Sequence, residues 1–172
     1  MALRMNGYTG RLRAFINGQW YSSQPQVAFA ISLTEDYAAA LAVSGAEIPS
    51  AVQGDRGLID TGSTQTYVKT SLIRDLGVPK VDERPVNAPL MTGPSSVTLA
   101  IVYRVSFILA GGVHEIDVLS GGPDDSGKRV AGRIDKEPYN AVIGQDLLQY
   151  YIMYWNGPAG SFGIEDGGSS SA

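Results

Sequence analysis

One aspartate of this chain stands in a context suited to acid–base chemistry. Asp60 follows the apolar pair Leu58-Ile59 and precedes Thr61-Gly62-Ser63-Thr64, which is typical of a strand ending in a tight turn. A carboxylate placed there is costly unless it is hydrogen-bonded or useful. Two carboxylates held close together share one proton, so one can activate a water while the other polarises a carbonyl group. We therefore interpret Asp60 as half of a catalytic aspartate pair.

The residue composition leaves carboxylates and lysine as the possible catalytic groups. The 172 residues include no cysteine, which excludes disulfides, thiolate catalysis and cysteine metal sites. The only histidine, His114, cannot build a zinc site by itself and fits a Ser/His/Asp triad poorly. Its alternating polar neighbours predict an exposed residue on a strand. We therefore expect no metal and no cofactor.

The bulk properties indicate one globular domain without nucleic-acid or membrane partners. A chain of 172 residues, 44% of them hydrophobic, can bury a core. The net charge of −4 comes without a basic stripe that would neutralise phosphates. No apolar run reaches the ~18 residues of a membrane span, and the first residues lack the apolar stretch of a signal peptide. We therefore expect a cytoplasmic protein.

Hydrophobic alternation and turn residues predict a mostly β chain with short helices. Asn17-Gly18 is typical of one hairpin turn and Gly111-Gly112 of another. A helix is predicted over 70–77, capped by a hydroxyl residue, and another over 145–151. Residues after Thr34 fit either a helical turn or a longer strand. The predicted strands cover 26–33, 58–59, 66–68, 81–90, 97–109, 113–119, 141–143, 152–155 and 160–164, and loops cover 45–54 and 121–132.

A second aspartate motif, Asp125-Ser126-Gly127, is a poor candidate for the other half of the pair. No apolar strand precedes it, Lys128-Arg129 follow it, and its surroundings are typical of a solvated loop. One chain therefore offers one convincing aspartate. A two-fold symmetric dimer brings Asp60 to face its own copy, which is the simplest way to complete the pair.

The order of these motifs resembles the retropepsin-like aspartic proteases, the single-domain relatives of retroviral protease, and most of all their bacterial members. Residues 58–63 resemble the catalytic signature of that family. Residues 141–144, followed by Asp146-Leu147-Leu148, resemble its second signature, an apolar pair and glycine that enter a helix. The turn at Gly93 stands where the family carries its flap hairpin. The resemblance covers about residues 25–165.

The resemblance implies a single-domain acid protease barrel with one short C-terminal helix and an active site at a two-fold dimer interface. It implies a homodimeric aspartic endopeptidase that cleaves peptide or protein substrates with water activated between two copies of Asp60. It also assigns supporting roles. The active-site loop would be held by Thr61, Gly62, Ser63 and Thr64, the packing beneath it would come from Val142, Ile143 and Gly144, and the flap tip would be formed by Met91, Thr92, Gly93 and Pro94.

The remaining segments divide the chain and leave alternatives open. We expect an N-terminal extension with a β-hairpin at 1–24, the protease domain at 25–165, and a disordered Gly/Ser tail at 166–172. Gln145 stands where retroviral enzymes commonly carry arginine, which leaves open a catalytically weak or inactive module for binding or dimerisation. A plain β-barrel adaptor, with Asp60 in an ordinary turn, is a further reading. Core or dimer contacts are expected of the aromatic residues Trp20, Tyr150, Tyr151, Tyr154 and Trp155.

Overall fold

The computed structural model describes eight segments of the chain. They are residues 7–11, 13–16, 19–22, 25–86, 98–123, 129–130, 134–156 and 161–168. Only the backbone is described for residues 7–11, 13–16, 19–22, 98, 122–123, 129–130 and 136. The predicted flap tip, Met91 to Pro94, and the motif Asp125-Ser126-Gly127 lie outside these residues. The predictions for those two segments therefore stay predictions.

Fourteen strands and three α-helices form the described part of the chain. The strands are β1 Gly7–Arg11, β2 Arg13–Ile16, β3 Gln19–Ser22, β4 Gln26–Ser32, β5 Val52–Ile59, β6 Tyr67–Val68, β7 Lys80–Val86, β8 Thr98–Leu109, β9 Gly112–Ser120, β10 Gly122–Pro123, β11 Arg129–Val130, β12 Ala141–Ile143, β13 Tyr151–Asn156 and β14 Ser161–Asp166. The helices are α1 Glu35–Ser44, α2 Thr70–Leu76 and α3 Gln145–Leu148, with a 3₁₀ turn at Ile134–Lys136. No helix within these described segments is long and apolar enough to cross a membrane.

Six strands close into a mixed barrel. Their order is β4-β5-β12-β6-β9-β8, and β8 pairs back with β4 to complete the ring, while β7 extends the sheet from β8. The β5–β12 and β6–β9 pairs are parallel, and the other pairs around the ring are antiparallel. Closure of the ring removes free edges from these strands. The predicted mostly β barrel with short helices is therefore confirmed.

Aromatic and branched aliphatic side chains fill the barrel. Phe29 and Phe107 stack in its centre with ring centroids 4.9 Å apart, and both are almost fully buried. Helix α2 covers one side with the predicted face of Leu72, Ile73 and Leu76. Burial of each such side chain contributes about 1.5–3 kcal/mol. This packing gives the strands that carry the candidate site a rigid support.

Strands β1, β13 and β14 form a second, three-stranded antiparallel sheet, here called the terminal sheet. Its order is β1-β14-β13, which confirms the hairpin predicted for 152–164 and adds β1 to it. The hairpin predicted around residues 17 and 18 is formed by β2 and β3. The disordered tail was predicted to begin at residue 166. That boundary is too early, because Asp166 belongs to β14 and pairs with Tyr151.

The structure decides one open prediction about helices and corrects two others. The segment after Thr34 is helical, as its capping hydroxyl favours: Thr34 Oγ1 accepts from Tyr37 N at 3.3 Å. Helix α2 lacks the predicted hydroxyl cap, because its N-cap residue is Lys69, whose side chain makes no capping hydrogen bond. Thr70 N instead donates to the carboxylate of Asp135 at 2.9 Å. Helix α3 is a single turn that ends at Leu148, because β13 begins already at Tyr151.

Two predicted loops and one predicted surface residue also differ from the structure. Strand β5 begins at Val52, inside the loop predicted for 45–54. The loop predicted for 121–132 contains the short β10–β11 ladder. His114 was expected to be exposed, yet only 17% of its side chain is accessible, because the terminal sheet packs against it. Tertiary packing overrode the local pattern in each case.

Candidate active site

Asp60 lies directly after β5, at the end of a strand held between two neighbours. Its backbone N donates to Ile143 O at 3.0 Å, which extends the parallel pairing of β5 with β12 by one residue. Gly62 N donates to Asp60 Oδ1 at 2.9 Å and Ser63 N donates to Asp60 O at 3.1 Å. The backbone of the turn thus fixes the direction of the carboxylate, which is only partly buried.

The residues after Asp60 hold this turn in the way their types suggest. Gly62 leaves room for the carboxylate, since a Cβ there would lie 3.2 Å from Asp60 Oδ1. Ser63 Oγ donates to Gln65 O at 2.7 Å and so closes the turn on its far side. Thr61, Gly62 and Thr64 are exposed. The loop therefore presents an open face next to a fixed carboxylate.

Strand β12 and Gly144 pack against the loop from below. Val142, Ile143 and Gly144 are buried. A Cβ at Gly144 would come within 2.5 Å of the carbonyl carbon of Gln65 and 2.9 Å of its nitrogen, so only glycine fits at this crossing. The structure therefore brings together the two segments that the sequence predicts for the site, 60–64 and 142–144.

Three further residues hold the loop, and the sequence analysis did not assign them to it: Gln145, Asp146 and Thr66. Gln145 donates to the loop twice, from N to Ser63 O at 2.8 Å and from Nε2 to Thr61 O at 2.7 Å. Asp146 accepts from Thr66 N at 2.9 Å and from Thr66 Oγ1 at 2.7 Å. Asp146 also accepts from Leu147 N, as expected of an acid at the start of a helix.

Thr66 is the centre of this contact between the two signatures. It is fully buried, and its Oγ1 accepts from Gly144 N at 3.0 Å while donating to Asp146. The sequence signal for this arrangement was slight, because Thr66 and Asp146 lie 80 positions apart. The buried hydroxyl of Thr66 requires hydrogen-bond partners, and it finds them in both parts of the site.

The electrostatics beneath the loop are set by Asp146 and the barrel interior. Burial raises the pKa of the neighbouring Tyr67 phenol, and the negative charge of Asp146 raises it further. Tyr67 is therefore a neutral packing residue at physiological pH. Within the described residues, no group of three or more His, Cys, Asp or Glu side chains is placed to hold a metal ion.

The arrangement presents one partly exposed, oriented carboxylate per chain. Its loop is attached to β12 and α3 by backbone and side-chain hydrogen bonds, so the carboxylate is pre-positioned without any ligand. Such a group can accept or donate a proton and can hold a water. Acid–base catalysis of the aspartate-pair type needs a second carboxylate at close range.

Comparison with known proteins gives little direct guidance. No protein-family model matches this chain. No curated protein matches it either. Among solved structures, the chain is similar to a retropepsin-like aspartic protease from Rickettsia conorii, with 12% sequence identity, 85% of this chain and 96% of that chain covered, and a TM-score of 0.39.

Proposed function

We propose that the protein is an aspartic endopeptidase of the retropepsin-like kind, active as a homodimer in which each chain supplies Asp60. The observation that carries the proposal is the turn at Asp60, where Gly62 N orients the carboxylate and Ile143 O anchors the backbone. The order of the two signatures along the sequence supports it as well. Peptide or protein chains are the proposed substrates.

The proposed reaction needs only two carboxylates and a water. The ionised Asp60 takes a proton from a water held between the two chains, and the water oxygen attacks the scissile carbonyl carbon. The protonated Asp60 of the other chain donates a hydrogen bond and then its proton to the carbonyl oxygen. Collapse of the tetrahedral intermediate breaks the C–N bond: the amide nitrogen takes the proton that the first Asp60 removed from water, and a hydroxyl of the intermediate returns its proton to the second Asp60 as the carbonyl group re-forms. The pair then shares one proton again.

The dimer is required by the chemistry and is compatible with the surface around Asp60. Thr61, Gly62 and Thr64 are exposed beside the carboxylate, which leaves this face free to meet a second chain and a substrate. A two-fold axis through such a face presents identical residues to one another. One active site per dimer follows, with neither chain active alone.

The direct test replaces Asp60 by asparagine and measures cleavage of a mixed peptide library from acidic to neutral pH. We expect activity to fall by several orders of magnitude, because asparagine cannot exchange the proton. The matched control is Asp55→Asn on the same strand, whose side chain is 79% exposed. Undiminished cleavage by Asp60→Asn would exclude the proposal.

A mixing experiment tests the dimer separately. Wild-type protein is combined with an excess of Asp60→Asn protein and the activity per wild-type chain is measured after the subunits have exchanged. If each chain supplies one aspartate, mixed dimers are inactive and the activity per wild-type chain falls towards zero. If one chain suffices, the activity per wild-type chain stays constant.

A second candidate is a module of the same fold that binds or dimerises with little catalysis. Gln145 favours it: this neutral side chain stands where the resemblance predicts arginine, and it donates to Thr61 O instead of pairing with an acid. Under this alternative, the wild-type protein cleaves peptides weakly or not at all at every pH. Its dimer would then form equally well with Asp60→Asn.

A further inference from the structure

The chain's single histidine lies at the contact between the barrel and the terminal sheet. His114, on barrel strand β9, stacks on Tyr150 with ring centroids 4.5 Å apart and planes 8° from parallel. The ring of Tyr151 meets it edge-on at 5.2 Å. His114 Nε2 lies 3.5 Å from Asp166 Oδ1, yet it is buried and makes no hydrogen bond. A buried, unpartnered ring nitrogen facing a carboxylate needs an explanation.

The terminal sheet is seated closely on this part of the barrel. Tyr151 and Asp166 are paired across β13 and β14 and therefore point to the same side, towards His114. Tyr151 OH donates to Leu109 O at 3.0 Å, at the end of β8. A Cβ at Gly112 would lie 2.9 Å from both Asp166 Cγ and Tyr151 OH, so glycine permits this approach.

Among the described residues, Asp166 is the charged group that faces His114. Burial raises the pKa of the Tyr151 phenol, and the charge of Asp166 raises it further, so Tyr151 is neutral in the relevant range. On the barrel side, the register partner of His114 is the apolar Phe107. Glu115 is next to His114 in sequence but accepts from Glu35 N on the other face of β9. Tyr150 presents the face of its ring to His114.

We propose that His114 and Asp166 form a proton-dependent latch that holds the terminal sheet against the barrel. A neutral imidazole has a hydrogen on only one of its two ring nitrogens and carries no charge that would attract Asp166. A protonated imidazole carries N–H groups on both ring nitrogens, so Nε2 donates to Asp166 and the two opposite charges attract. The contact needs to close by only about half an ångström to reach normal hydrogen-bond length.

The direction of the pH effect follows from which partner gains charge. Histidine is the side chain whose charge ordinarily changes between about pH 5 and pH 8. The latch is therefore closed at the acidic end of that range and released as the pH rises through it. The strands β1 and β14 both belong to the latched sheet. The latch does not depend on peptidase activity.

The test is amide hydrogen exchange of the β13–β14 ladder, measured at fixed protomer concentration from about pH 8 to about pH 5.5. After correction for the intrinsic rates, we expect wild-type protection to rise about fivefold towards acidic pH. His114→Phe keeps an aromatic ring for stacking but cannot titrate, and Asp166→Asn removes the charge. Neither variant should show the rise in amide protection towards acidic pH. Glu165→Gln, a charge change at the adjacent position that pairs with Tyr154, should keep it.

Two further measurements make the outcome decisive. The double variant His114→Phe/Asp166→Asn should show the same loss as either single variant, since both remove one contact. Because the chain has one histidine, its imidazole Hε1 resonance reports the protonation of His114 directly in the wild-type protein. Protection that changes while this resonance does not move overturns the proposal, as does an unaltered pH response in either single variant.

Discussion

Thr66 and Asp146 are joined by two short hydrogen bonds that connect the loop of the candidate active site to helix α3. The carboxylate accepts from Thr66 N at 2.9 Å and from Thr66 Oγ1 at 2.7 Å. Thr66 is fully buried, and hydrogen bonds to a charged group are about twice as strong as neutral ones. Since Gly144 N also donates to Thr66 Oγ1, this contact determines how the two signature segments sit relative to each other.

Asp146→Asn is the variant that tests this contact. Asparagine has one acceptor oxygen, so its amide group must face at least one of the N–H and O–H donors of Thr66 and Leu147. We expect a loss of about 1.5–3 kcal/mol in the free energy of unfolding. We also expect a lower kcat for peptide cleavage under conditions where the variant is fully folded, because the loop bearing Asp60 loses its fixed position.

Asp135→Asn is the matched control, because Asp135 repeats the same bonds at another place. Its carboxylate accepts from Thr70 N at 2.9 Å and from Thr70 Oγ1 at 2.8 Å, at the start of α2. Denaturant unfolding should show a similar loss in the free energy of unfolding for both variants. Only Asp146→Asn should change kcat. Equal kcat in the two folded variants would mean that the Thr66 contact merely stabilises the fold.

Gly144→Ala should displace the loop of the candidate active site. The added methyl group would come within 2.5 Å of the carbonyl carbon of Gln65, which is backbone and cannot move alone. We expect a loss of about 1–3 kcal/mol in stability from overpacking, together with a large fall in activity. The measurement is activity and thermal unfolding of the same sample.

Gly45→Ala separates this steric effect from simple backbone strain. Gly45 has φ of +74° and no atom within 4 Å of the added Cβ, so alanine there is strained without a clash. We expect it to cost about 1 kcal/mol in stability and to leave activity unchanged. Equal activity losses at the two glycines would contradict the role given to the crossing of Gly144 and Gln65.

The sequence was sufficient for the parts of the site that are local. The strand, turn and glycine around Asp60 were predictable because their residue types determine backbone geometry within a few positions. Gly144 was predictable from its place in the second signature, though not the reason for it. Thr66, Gln145 and Asp146 were not assigned to the loop, because pairing across about 80 positions is set by the closure of the barrel.

Tertiary packing likewise explains where the predictions about other regions failed. His114 lies in an alternating polar segment that predicts exposure, and only the docking of the terminal sheet buries it. Strand β1 pairs with β14, near the opposite end of the chain, and local patterns carry no signal for such pairing. The helix predicted over 145–151 ends at Leu148, because Tyr151 is drawn into β13.

The ion pairs of Asp117 should give the fold a component of stability that acid removes. Asp117 on β9 accepts from Arg104 on β8 at 2.5 Å and from Arg84 on β7 at 2.7 Å. Burial alone would raise the pKa of Asp117, but the hydrogen bonds and charges of Arg104 and Arg84 outweigh it and hold that pKa below its usual range. The stabilisation is therefore present above the usual carboxyl range and is lost as the pH falls through the lowered pKa.

Asp117→Asn tests this with urea unfolding as a function of pH. At neutral pH we expect the variant to be less stable by about 1 kcal/mol, since both arginines are more than one-third exposed and solvent screens the pairs. The difference should shrink to zero at strongly acidic pH and should weaken in high salt. Asp55→Asn, whose partner Arg56 is 3.8 Å away on an exposed surface, should show no difference at any pH. A difference that persists in acid would show that Asp117 acts through packing.

The contact of Gly54 with Phe29 should make two substitutions compensate each other. A Cβ at Gly54 would overlap the ring of Phe29, which is fixed by its stacking on Phe107. Gly54→Ala alone should cost about 1–3 kcal/mol. In the Gly54→Ala/Phe29→Leu double variant, the methyl group occupies space that the smaller side chain vacates. The double variant should therefore be more stable than the sum of the single effects by at least about 1 kcal/mol, measured by denaturant unfolding. Phe107→Leu is the control for Phe29→Leu, because Phe107 is the ring of the stack that lies farther from Gly54. If Gly54→Ala coupled equally strongly to Phe107→Leu, the direct contact with Phe29 would be contradicted.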